Sequence, residues 1–139
     1  MPVDHDQIEL QTEGHTDIIN VTDQVESALQ SSSIEEGIVC VFNPGSTGAL
    51  TTIEYESGCV QDFEELLERL IPADRSYHHE AGLPDSNAHS HMRASLIGPS
   101  VSLPIRSGQL VHGTWQQIVF VDFDNRPRNR TLDVQMTGN

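Results

Sequence analysis

The chain has 139 residues, enough for one domain with its own hydrophobic core. Its formal net charge is -14, and its seven basic side chains are all arginine, a balance that disfavours non-specific nucleic-acid binding. No apolar run is long enough to span a bilayer, and the acidic start Met1-Pro-Val-Asp-His-Asp6 is unlike a signal peptide, so a soluble, cytoplasmic protein is expected, with no membrane partner.

Ile8 to Thr12 alternates apolar and polar residues, as a half-buried strand does. Ile18-Ile-Asn-Val21 leads into Thr22-Asp23 with Glu26 three residues later, the pattern of a capping box on a helix that ends at Ser31 to Ser33. Gly37 to Phe42 is a β-branched run bounded by turn residues, hence a buried strand. Asn43-Pro-Gly-Ser-Thr-Gly48 is a loop, and Leu50 to Glu56 a further strand. Phe63, Leu66, Leu67 and Leu70 fall on one face of a helix, with Asp62, Glu64, Glu65 and Glu68 turned to solvent and Pro72 as the stop. Residues 73–86 show no periodicity and form a loop, while Asn87 to Leu96 suits a short helix. Three strands follow at Val101–Ile105, Thr114–Phe123 and Arg130–Met136, the first two separated by a Ser107-Gly108 turn. Short strands with two or three helices, not in strict βαβ order, predict an α+β domain on a mostly antiparallel sheet. Cys40 and Cys59 form no Cys-x-x-Cys pair and read as buried free thiols. The acids are dispersed along the chain and build no calcium loop, which favours a salt-adapted, halophilic surface.

Tyr77 to Gln116 carries five of the seven histidines: His78, His79, His89, His91 and His112. Histidine is the usual neutral nitrogen ligand of a transition metal and the usual proton carrier near neutral pH. A metal site needs three or four converging ligands. His89 and His91 share a face on a strand; on a helix they diverge by roughly 200°, and only one of them can join His79. The alternative is that these are polar loop histidines bonded to backbone. Asn43 to Gly48 places glycines where backbone N–H groups can face an anion, although its spacing is neither a Walker A loop nor a nucleophile elbow, and a plain turn is the simpler reading. Glu54 lies on a strand, where a paired or solvated carboxylate is the default. Arg93 stands beside the histidines in a chain with few cations and suits a phosphate or carboxylate ligand.

Tyr77-x-His79, Asn87-x-x-x-His91, Gly98-x-Ser100, Pro104-x-x-x-Gly108, Gly113-Thr-Trp-Gln116 and Arg126-x-Arg128 together resemble the YjbQ family over nearly the whole chain. Pro44-Gly-Ser-Thr-Gly48, Ile53-Glu-Tyr-Glu56 and His89-Ser-His91 are similar to its archaeal branch. The resemblance implies a compact α+β subunit, assembly as a homotrimer, and a histidine site near the subunit interface. It also implies a weak secondary thiamine-phosphate synthase activity, joining hydroxymethylpyrimidine diphosphate to thiazole phosphate with loss of pyrophosphate. Many members carry a His-Thr pair in the loop after the central strand, where this chain has Gly45-Ser46 or Ser46-Thr47.

These readings combine into a metal-dependent transferase acting on a small phosphorylated molecule. His79 and His91 would bind a divalent metal, zinc or magnesium, with His89 as third ligand. Glu54 and His91 would be the catalytic groups. Ser46, Thr47, Asn87 and Arg93 would hold substrate. The competing reading is a non-catalytic homotrimer that binds a metal or small ligand, and a third makes the histidines contacts between subunits.

Overall fold

A computed structural model describes residues Met1–Asn139. The elements are β1 (Val3–Thr12), β2 (Asp17–Asn20), α1 (Thr22–Gln30), β3 (Gly37–Phe42), β4 (Gly48–Glu54), α2 (Ser57–Leu70), α3 (Ala88–Ile97), β5 (Ser100–Arg106), β6 (Gln109–Leu110), β7 (Gln116–Asp122) and β8 (Arg128–Gly138). The strands form two antiparallel sheets, one ordered β1-β8-β3-β5-β6 and one ordered β2-β7-β4. This is the α+β, mostly antiparallel architecture expected from the sequence.

Alternation along the strands decides the layering. Val39 and Val41 of β3, Leu103 and Ile105 of β5, and Leu132, Val134 and Met136 of β8 point inward from the large sheet. They pack against Leu50, Ile118 and Phe120 of the small sheet, with Val21, Val25, Ala28 and Leu29 closing one side of the core. The opposite face of the small sheet presents Ala49, Val119 and Val121 to Leu67 of α2 and Ala94 of α3. Strand β7 is therefore buried on both faces, which accounts for its unbroken Ile118-Val-Phe-Val121 run.

Several local expectations change. Asp23 and Glu26 make no capping box. The N-cap of α1 is Val21, without a side-chain cap, and the buried Thr22 hydroxyl accepts the Ile118 N–H at 2.8 Å. Helix α2 buries only Leu67 fully, leaving Leu66 and Leu70 exposed, and Glu68 pairs with Arg93 instead of facing solvent alone. Its N-terminus is capped by Glu56, whose carboxylate accepts the N–H groups of Gly58 and Cys59. Ser107 and Gly108 both adopt left-handed conformations, as a two-residue hairpin turn requires. That hairpin returns into the short β6, so β5 and β7 are not hairpin partners and lie in different sheets. Both cysteines are free and only half-buried.

Candidate functional site

Helix α3 settles the histidine question. Asn87 to Leu96 is helical, so His89 and His91 face different ways. His91 meets His79 edge to face, with ring centroids 4.9 Å apart. Its Nδ1 lies 3.1 Å from the Ser46 carbonyl. A carbonyl only accepts, so Nδ1 carries the hydrogen and Nε2 keeps the free lone pair. His91 is thereby fixed to the Asn43–Gly48 loop.

That loop is held by an internal turn, in which Asn43 Oδ1 accepts the Gly45 N–H at 3.1 Å and Asn43 Nδ2 donates to Gly45 O at 3.1 Å. Neither the Ser46 nor the Thr47 N–H meets a protein acceptor. Thr47 is buried; its hydroxyl donates to Asp124 at 3.3 Å and accepts from Arg130 Nη2 at 2.7 Å. A Cβ at Gly45 would come within 3.0 Å of Arg130 Nη1, so the glycine lets that guanidinium approach the loop. Two N–H groups without a protein acceptor, a guanidinium edge and a histidine whose tautomer is set by the Ser46 carbonyl make an arrangement suited to an anion and a proton.

The cation beside the loop is Arg130, not Arg93. Arg93 is 3 % exposed, and its donors are taken by Ile71 O, Thr16 Oγ1 and Glu68. It ties α3 to α2 and holds no open edge for phosphate. Glu54 is likewise displaced as a base: it pairs with Gln116, whereas Gly48 pairs with Asp122 at the other end of the same two strands. At ~3.3 Å per residue the two ends of β4 are roughly 20 Å apart. The Gly113–Gln116 segment and His112, which lies 3.7 Å from Glu26, sit at that far end too. The histidine-rich stretch is thus divided between two ends of the small sheet.

Zinc takes three or four protein ligands. His79 and His91 supply two, His89 faces away, and no group of three His, Cys, Asp or Glu side chains converges within the chain. Magnesium prefers oxygen ligands, and the pair offers nitrogens. The donor set of a single chain therefore does not fit a resident metal ion.

Sequence reasoning missed the buried charges behind the loop. Asp122 and Asp124 are both 0 % exposed. Arg130 grips Asp122 through Nε at 2.8 Å and Nη2 at 2.9 Å, and Thr12 Oγ1 donates to the same carboxylate at 2.6 Å. Arg128 Nε donates to Asp124 at 2.8 Å, and Asn87 Nδ2 donates to it at 3.3 Å. The two-residue spacing of Asp122 and Asp124, and of Arg126, Arg128 and Arg130, was the available signal, because i and i+2 share a face on extended chain.

These contacts set a pH response. Burial alone would raise Asp124, but hydrogen bonds from Asn125, Arg128 and Asn87 win and hold it below its ordinary 3.8. The Arg93 hydrogen bond lowers Glu68 below 4.5. A depressed carboxyl stabilises the fold above its ordinary range and loses that contribution as pH falls through the folded value. His89 is pulled below 6.5 by burial and then by the Arg93 charge, with Glu68 opposing. The unfolded chain therefore takes up this proton first, and stability falls as pH drops below 6.5. The urea midpoint should decline in two steps, one beginning below pH 6.5 and a steeper one in the carboxylate range. His89→Gln should remove the first step; an unchanged first step in that variant would assign it elsewhere.

The family profile for UPF0047 protein YjbQ-like matches residues 6–139. A UPF0047 protein of Archaeoglobus fulgidus is 41% identical over 129 residues, covering 93% of this chain and 98% of that protein. One of Methanothermobacter thermautotrophicus is 41% identical over 138 residues, covering 99% and 94%. The crystal structure of a YbjQ-like protein of unknown function from Sulfolobus solfataricus superposes with a TM-score of 0.94 at 34% identity, covering 99% of each chain.

Proposed function

The chain belongs to the YjbQ-like UPF0047 family, and from that premise we propose that it is a transferase acting on a small phosphorylated molecule, with thiamine phosphate formation as the reaction. The observation that carries the reading is the hold of His91 Nδ1 on the Ser46 carbonyl, in the loop whose Ser46 and Thr47 N–H groups have no protein acceptor. In that reaction the methylene C–O bond of the pyrimidine diphosphate breaks and a C–N bond to the thiazole nitrogen forms. Pyrophosphate departs with the bonding electrons. Donors placed where that negative charge gathers accelerate the step: the loop N–H groups, Arg130 Nη1, and protonated His91 through Nε2. His79 packs against the His91 ring and limits its rotation.

The test is direct. Purified protein is given hydroxymethylpyrimidine diphosphate and thiazole phosphate, with and without added zinc or magnesium, and thiamine phosphate is followed by chromatography. Product is expected, with a loss of about 10²-fold in His91→Ala, the usual worth of a positioned acid. No product under any of these conditions would sink the synthase reading.

Self-association is part of the proposal. Leu66 and Leu70 on α2 and Met92 and Leu96 on α3 are 41–61% exposed, paired four residues apart on each helix. Apolar stripes of that kind suit contact with further copies, in keeping with a homotrimer. Light scattering should give three times the 15.4 kDa chain mass. Monomer at all concentrations would exclude it.

A further inference from the structure

On the other side of α3 lies a cleft of ≈ 690 Å³ whose walls include His15, Glu80, Asp85, His89, Arg126 and Arg128. Its lining is unlike that of the His91 loop. Arg126 is exposed, and its guanidinium makes no hydrogen bond or ion pair. Arg128 commits Nε and Nη2 to Asp124, leaving Nη1 free. The same lining holds the exposed carboxylates of Glu80 and Asp85, neither of which forms an ion pair. Asp124 also borders the cleft, with its charge met by Arg128.

His89 supplies the third element. It is 7 % exposed, and its Nε2 lies 3.4 Å from Ser90 Oγ, whose own hydrogen is donated to the Phe123 carbonyl. Nε2 therefore donates, and Nδ1 keeps a lone pair with no protein partner. No fully buried side-chain nitrogen or oxygen lacks a hydrogen bond, so this Nδ1 opens into the cleft. The walls also hold strain. Of the four non-glycine residues with left-handed backbone, His15 and Glu80 line the cleft and Thr16 adjoins it. Such conformations are costly and gather at ligand sites.

We propose that this cleft binds a small zwitterion, a phosphate monoester bearing an amino or N–H donor group. The phosphate lies against Arg126 and Arg128 Nη1, and the donor meets His89 Nδ1 with Glu80 and Asp85 beside it. A lining that holds both cations and unpaired acids disfavours a bare polyanion, which the acids repel. The cations equally disfavour a simple amine. The inference does not depend on thiamine phosphate formation, because it concerns binding at a different face of α3.

O-phosphoethanolamine is the probe, titrated into the whole protein at low salt by calorimetry, with inorganic phosphate and ethanolamine in parallel. Phosphoethanolamine should bind saturably and at least about tenfold more tightly than either half, the worth of one added charge-assisted contact. Arg126→Ala, at an exposed and unpaired position, should weaken it about tenfold without lowering the denaturation midpoint. His89→Phe should weaken phosphoethanolamine and leave inorganic phosphate unchanged. Absence of saturable binding, equal affinity for inorganic phosphate, or an unaffected Arg126→Ala variant would each overturn the proposal.

Discussion

Asp122→Ala is expected to lose about 3–5 kcal/mol of folding stability, the cost of leaving one member of a buried ion pair without its partner. Single domains are stable by about 5–15 kcal/mol, so the variant should stand near the edge of folding. The cause is specific. Arg130 is 12 % exposed at its side chain and holds Asp122 through two nitrogens, while Thr12 and the Asp124 N–H use the same carboxylate. Asp124 is 3.8 Å from Arg130 and cannot replace a bidentate grip. Removing both ends, as in Asp122→Leu with Arg130→Met, should recover much of the loss, because the pair's large term is the penalty of an orphaned charge. Asp133, whose exposed carboxylate meets Gln7, is the control and should move stability by under about 0.5 kcal/mol when changed to Ala. Guanidinium denaturation of the four proteins decides the matter. A loss below about 1 kcal/mol in Asp122→Ala would mean that water or rearrangement screens Arg130 far better than its burial implies.

The same network explains what could and could not be read from the sequence. Strands β1, β3, β5 and β8 announce themselves by alternation or β-branched runs, and α2 by its spacing of Phe63, Leu67 and Leu70. Partnership was not legible. Nothing local says that Ser107-Gly108 turns the chain into a two-residue strand, or that Gln116–Asp122 crosses to the second sheet between β2 and β4. A short helix suits Asn87 to Leu96, and the divergence of His89 from His91 follows from helix geometry alone. The ligand set expected from the sequence still joined His89 to His79 and His91, because a strand would have put His89 and His91 on one face. The charges were misassigned for a different reason. In a chain with 21 acids, each Asp looks like solvated surface, and only the fold shows that Asp122 and Asp124 close the core where β7 turns toward β8. His15 was missed because its place in the cleft depends on left-handed backbone at Gly14, His15 and Thr16, of which only the glycine leaves a trace in sequence.

Arg93 is where a functional and a structural role give opposite outcomes. If it held phosphate, Arg93→Ala would fold normally and lose ligand affinity. The contacts assign it the other part. One guanidinium bridges the carbonyl of Ile71 at the end of α2, the hydroxyl of Thr16 and the carboxylate of Glu68, all while 3 % exposed. Arg93→Ala should therefore cost about 3 kcal/mol, leaving the half-buried Ile71 carbonyl without its guanidinium and the two helices untied. Arg93→Lys should recover only part, since one ammonium cannot span three acceptors arranged for a planar fork. Glu68 is 55 % exposed and can return to water, so Glu68→Gln should cost far less than either. The second readout separates the roles: inorganic phosphate titrated into Arg93→Lys below its unfolding midpoint should bind the folded fraction as in the parent. A variant of full stability with weakened phosphate binding would restore Arg93 as a ligand group. The brace also positions His91, because Arg93 lies two residues from it on α3. Loosening that helix should disturb the Nδ1–Ser46 contact, so the synthase activity proposed above should fall in Arg93→Lys through positioning while phosphate affinity holds.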